Sequence, residues 1–181
     1  MIIENPKGER PKIHSKAFVA SNATIIGNVT IHEGANIWYG AVLRGDTCKI
    51  EIGKNTSIQD NCVVHSETDT EFVIKDHCIV GHRAMLHGPA VVGSCTTVGI
   101  GAVVLQGSNV GDGVIVGSGA VVTKNLPEDV MALGIPARVK KQLKGSGAKD
   151  TKKNANFYAK NGMSFVESGK NHPDVDKFPF D

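Results

Sequence analysis

Three histidines, His65, His82 and His87, are the residues whose chemistry and spacing invite a joint role. Imidazole can ligate a metal, hold a proton near neutral pH or act as a base. In "GHRAMLHG", residues 81–88, His82 and His87 lie five residues apart. Neither a helix nor a plain strand aims side chains at that spacing toward one ligand. Whether they work together therefore depends on how the surrounding chain repeats.

That repeat is six residues long. An aliphatic residue stands at Val19, Ile25, Ile31, Ile37 and Leu43, then at Ile52, Ile58 and Val64. The series resumes at Ile74, Val80, Leu86, Val92, Val98, Val104, Val110, Val116 and Val122. Four places after each anchor comes mostly a small residue, such as Ala23, Ala41, Cys62, Cys78, Ala84 or Ala102. Glycine often follows the anchor, as at Gly53, Gly81 and Gly99. An alternating strand does not produce a six-residue period with glycine beside the anchor. The pattern is that of an all-β solenoid, a parallel β-helix of hexapeptide repeats with three repeats per triangular coil. The series predicts nearly six coils, each buried by its neighbours.

The period breaks twice. "RGDTCKIE" carries three extra residues between Leu43 and Ile52, and "HSETDTEFV" carries four between Val64 and Ile74. Insertions in a solenoid emerge as loops, commonly on the functional face.

Repeats three apart lie on one face, so Arg44, His65 and His87, each directly after its anchor, form a column one strand spacing apart. Asp60 and His82, each two places after an anchor, stack around the corner. His65 and His87 can share one metal ion, while His82 is turned away from them within the chain. In a threefold assembly of parallel columns, His82 of one subunit can meet the pair of the next. That makes a three-histidine site with one position open for water, the catalytic rather than the structural zinc pattern. The competing reading is that solvated histidines fall there by chance. His14, His32, His77 and His172 show no such placement and read as surface residues.

"RGD" at 44–46, "IQDNCVVH" at 58–65 and "IVGHRAMLHGPAVVG" at 79–93 resemble the gamma-class carbonic anhydrase family over roughly residues 12–145. The resemblance implies a left-handed β-helix, a homotrimer, and a metal between subunits on the positions of His65, His82 and His87. It also implies an interface salt bridge between Arg44 and Asp46, with Gln59 and Asp60 around the metal-bound solvent. The implied activity is hydration of CO2 to bicarbonate by a zinc-bound hydroxide. Iron or cobalt would suit the same ligands. Asp60 is expected to fix the His82 tautomer. An adhesion role for the RGD triplet does not suit a chain read as cytoplasmic.

The sequence also departs from that family. A glutamate directly follows RGD in the prototype pattern and another lies three places after the first metal histidine. Here those places hold Thr47 and Thr68, with Glu67 one position off. The departures concern proton export and leave a weakly active or inactive metal-binding scaffold as one alternative. A second is an acyl-CoA-dependent hexapeptide acyltransferase, which shares the β-helix and a "GIPARVKKQL"-like end but needs only one general-base histidine.

Composition narrows the class. With 20 basic and 18 acidic residues the net charge is +2, which argues against a nucleic-acid partner. No stretch approaches the length of a membrane span. Without a secretory signal, Cys48, Cys62, Cys78 and Cys95, lacking CxxC spacing, read as reduced thiols in the cytoplasm. The predicted organisation is a β-helix over 1–126, a cap over 127–145 and a linker and tail over 146–181. Within the cap, Ala137 to Lys144 is expected to be a short helix with a solvated basic face. The tail, which carries Phe157, Tyr158, Phe165, Phe178 and Phe180, is expected either to dock on a neighbouring subunit or to stay disordered. Tyr158 is its one candidate for reaching the site.

Overall fold

The computed structural model describes residues 1–180 and shows a left-handed parallel β-helix closed by one C-terminal helix. All 17 anchors from Val19 to Val122 are buried, at 2% exposure or less. The hexapeptide spacing is therefore the spacing of the core. The small residues four places on, Ala23, Ala41, Cys62, Ala84 and Ala102 among them, are buried at the corners.

Register follows the sequence arithmetic. Ile37 pairs with Ile58, Ile58 with Val80 and Val80 with Val98 on one face. Leu43 pairs with Val64, Val64 with Leu86 and Leu86 with Val104 on the next. Both insertions appear as breaks between coils. Gly27 pairs with Gly45 but Val29 pairs with Ile50, so Asp46–Lys49 bulge opposite Asn28 alone. Gly88 pairs with Ser66 and Ala90 with Phe72, so residues 67–71 bulge opposite Pro89. The two bulges stack, with Asp69 donating its backbone N–H to the Thr47 carbonyl at 2.8 Å.

The C-terminal end differs from expectation. Residues 137–144 do not form a helix: Arg138–Gln142 is an antiparallel strand on Val130–Leu133. A solenoid's last coil presents unpaired N–H and C=O groups, and an added strand satisfies them where a helix cannot. That demand overrides the helical preference of the Lys, Gln and Leu residues. The basic residues of this segment are exposed, as its solvated reading requires.

The one long helix, α1, spans Ser146–Glu167, over the expected linker. Its buried residues, Gly147, Thr151, Ala155 and Gly162, make a small-residue stripe that lets the helix lie close on the β-helix. Thr151 Oγ1 is 2.8 Å from Thr97 Oγ1, and a Cβ on Gly147 would come within 2.6 Å of the Gly113 carbonyl. Helical spacing of small residues is thus hidden in a composition that resembles a linker. The tail packs on its own β-helix: Phe165 stacks near Phe18 and Trp38, and Tyr158 meets Trp38 edge-on. His172, expected at the surface, is buried there, with its backbone N–H on the Val19 carbonyl. The last tail residue, Asp181, lies outside the described residues. No helix of the described residues is long and apolar enough to cross a membrane.

Candidate metal centre

His65 and His87 are direct register partners on adjacent strands, Val63–Ser66 and Met85–Gly88. Their rings lie 5.6 Å apart between centroids, at 72°. Both side chains are largely covered, 13% and 25% exposed. His65 donates its Nδ1–H to the Arg44 carbonyl at 2.6 Å, which leaves Nε2 as the outward lone pair.

His82 stands apart from that pair, around the corner, and 44% of its side chain is exposed. Its Nδ1–H donates to Asp60 Oδ2 at 2.8 Å, again leaving Nε2 free. Its backbone N–H donates to Gln59 Oε1 at 3.2 Å. Gln59 is buried, and with its oxygen engaged the amide NH2 is the end left for another partner. Among the described residues, no three His, Cys, Asp or Glu side chains within the chain could together hold a metal ion.

Arg44 and Asp46 pair with each other, Nη1 to Oδ2 at 2.7 Å, and the Thr47 N–H donates to Asp46 Oδ1. Burial alone would raise the Asp46 carboxyl, but the hydrogen bond and charge of Arg44 outweigh it and hold the group below its ordinary value. The Glu67 carboxylate lies 3.9 Å from His87 Nδ1, an electrostatic rather than a hydrogen-bonding distance. Its loop position thus brings it to the histidine pair, whereas Thr47 and Thr68 carry no carboxylate.

Cys48 and Asn5 also meet this region, with little sign of either in the sequence. Cys48 Sγ lies 3.5 Å from the Arg44 carbonyl and 3.7 Å from His65 Nδ1. Its place in the three-residue insertion after Arg44 is the available signal. Asn5 donates to the Asp46 carbonyl at 3.0 Å, across 41 residues that no local motif spans. Tyr158 reaches Trp38, one coil from Gln59, rather than the histidines themselves.

Backbone bonds from Asn61 to the Tyr39 carbonyl and from Gly101 to the His82 carbonyl set Tyr39 and Ile100 along the Asp60–His82 corner. Ile100 is 54% exposed there and Tyr39 39%, so the corner carries apolar surface beside its polar pair.

A family profile described as bacterial transferase hexapeptide (six repeats) matches residues 10–45. The chain is 34% identical to the carbonic anhydrase of Geobacillus kaustophilus over 161 residues, 88% of each protein. It is 39% identical to the mitochondrial gamma carbonic anhydrase 1 of Arabidopsis thaliana over 141 residues. That match covers 74% of this chain and 51% of the plant protein. The crystal structure of a hexapeptide transferase family protein from Anaplasma phagocytophilum superposes with a TM-score of 0.85 at 34% identity, covering 91% of this chain and 98% of that one.

Proposed function

The chain belongs to the gamma-class carbonic anhydrase family of hexapeptide-repeat proteins, and from that premise we propose that it hydrates CO2 to bicarbonate at metal sites shared between subunits of a homotrimer. The observation that carries this reading is the pair of Nδ1 commitments. His65 is fixed by the Arg44 carbonyl and His82 by Asp60, so in each ring Nε2 is the nitrogen left to ligate. With His87 beside His65, the donor set fits a zinc ion, and equally iron or cobalt. Zinc on three neutral imidazoles supplies the Lewis acidity that makes water nucleophilic near neutral pH.

The separation of His82 from the other two supports a site completed by a second copy, and the apolar Tyr39 and Ile100 beside it suit burial in such an interface. The Gln59 NH2 group is available to donate to the nucleophilic oxygen or to bicarbonate. Asp60 and the Arg44 carbonyl hold two rings in the tautomer that ligation requires. Glu67 is the group placed to accept the proton released each turnover, in the role its threonine neighbours cannot fill.

A transferase reading draws on the name of the Anaplasma neighbour. An acyltransferase needs one histidine as base, and either Nδ1 commitment would orient such a base, so it is the second committed histidine that has no part in that chemistry. A metal-binding scaffold is the reading to which loss of proton export would lead. Stopped-flow CO2 hydration by zinc-loaded and chelator-stripped protein separates the three. Chelator-reversible hydration is expected; stoichiometric metal without hydration indicates the scaffold, and no metal retention removes the proposal.

A further inference from the structure

We propose that Asn5 is a positioning residue for the metal centre, holding the backbone that orients His65 through a tether from the N-terminal segment to the Arg44–Cys48 bulge. This rests on the metal reading of His65.

Asn5 is a polar side chain outside any strand, yet it is only 4% exposed. All its hydrogen-bonding capacity is used. Oδ1 accepts from the backbone N–H of Lys7 at 3.0 Å and of Glu9 at 2.9 Å. Nδ2 donates to Glu9 Oε2 at 2.7 Å and to the Asp46 carbonyl at 3.0 Å. The first three bonds close the local turn, together with the backbone bonds Asn5 N to Glu9 O and Gly8 N to Asn5 O. The fourth does nothing for that turn. It leaves the segment and ends on a bulge carbonyl.

A bulge frees backbone groups from the ladder, and each needs another partner. The Thr47 carbonyl finds Asp69, and the Asp46 carbonyl finds Asn5. The backbone is tight where the bulge begins. Gly27 has φ +72°, and a Cβ there would lie 2.3 Å from the Gly45 carbonyl oxygen. Glu9 grips the opposite strand as well, accepting from Asn28 Nδ2 at 3.0 Å. The clamp thus holds both sides of the bulge.

Two residues before Asp46, the Arg44 carbonyl accepts the His65 Nδ1–H at 2.6 Å. The φ and ψ of Gly45 and Asp46 lie between the two carbonyls. The pairing of Gly45 with Gly27 and the close approach of the Asn28 carbonyl restrict the glycine, so a displacement at Asp46 is passed back toward Arg44. The partner of a ligating histidine's second nitrogen sets ring orientation and basicity. Asn5 therefore acts on metal affinity without touching the metal or the substrate.

Two variants separate this role from simple stabilisation of the turn. Asn5→Asp keeps the Oδ1 acceptor but sets a second oxygen against Glu9 and the Asp46 carbonyl. The double variant Asn5→Asp/Glu9→Gln restores a donor–acceptor pair inside the turn. The amide oxygen it places at position 9 still accepts from Asn28, but the Asp46 carbonyl stays without a donor. Each full-length protein is titrated with Co2+ against a competing chelator, the visible Co2+ spectrum is recorded, and Tm is measured. Asn5→Asp should bind Co2+ about tenfold more weakly, the low end of the loss seen when a ligand's outer partner is removed, with an altered spectrum. The double variant should recover Tm but neither affinity nor spectrum. Wild-type affinity and spectrum in the single variant, or their recovery with Tm in the double variant, overturn the proposal. A wild-type protein that binds no Co2+ overturns the metal reading and this inference with it.

Discussion

His65 and His87 face each other across one coil with ring centroids 5.6 Å apart, although they stand 22 positions apart in the chain. The anchors Val64 and Leu86 produce that relationship, and it leaves both rings on the outside of a closed core. Chemistry and stability are therefore carried by alternate residues of the same strands.

His82→Ala should abolish metal retention while changing the stability of the metal-free protein by about 0.5 kcal/mol or less, the usual scale for a surface substitution. Metal analysis and urea unfolding on the same sample check it. Unfolding of the variant under native conditions would contradict the outward placement of His82.

Leu86→Ala tests the other side of that strand. Its side chain is fully buried, so truncation should cost about 2–5 kcal/mol. Because His87 follows directly, metal binding should weaken along with stability. A loss below about 1 kcal/mol would mean the coil collapses around the gap, contrary to the close packing expected of a fully buried anchor.

Glu67→Gln should lower kcat more than kcat/KM for CO2 hydration, and small imidazole buffers should restore part of the loss, because only the exported proton lacks an acceptor. Thr47→Glu should raise turnover by supplying a second carboxylate beside the Asp46 turn. An unchanged kcat in both variants would place the limiting step elsewhere.

Burial pushes the Cys62 thiol from 9.0 up to about 11 and the Cys78 thiol up to about 12. The unfolded chain therefore ionises these groups first. Their contribution to stability is complete below pH 9 and is lost as pH rises through the folded-state values. Unfolding free energies of wild type and Cys78→Ala measured from neutrality to above pH 9 should converge as pH rises. A constant difference would show that the Cys78 thiol does not titrate differently on unfolding.

The β-helix was legible because its core repeats: each anchor announces the next, and the register that pairs His65 with His87 follows by counting. The two insertions were legible as interruptions of that count. The end of the solenoid was not, because Arg138–Gln142 becomes a strand to satisfy the last coil rather than from its own preference. The helix that follows hides its Gly147, Thr151, Ala155 and Gly162 stripe among lysines and glycines, and those residues read as a linker until something is packed against them. The histidine triad shows the same division. Pairing within the chain can be counted from the sequence, as can the turning away of His82, whereas the Asn5 tether depends on an N-terminal turn with no periodic signal.

The most direct test of the shared metal site is to co-refold His82→Ala with His87→Ala subunits in equal amounts, then measure bound zinc and CO2 hydration. Neither variant alone should hold a complete site. In a randomly mixed closed ring, about a quarter of interfaces should pair an intact His82 with an intact His65–His87 pair. Recovery of zinc and hydration to about that fraction is the predicted result. Mixed trimers that recover neither would contradict a metal centre built between subunits.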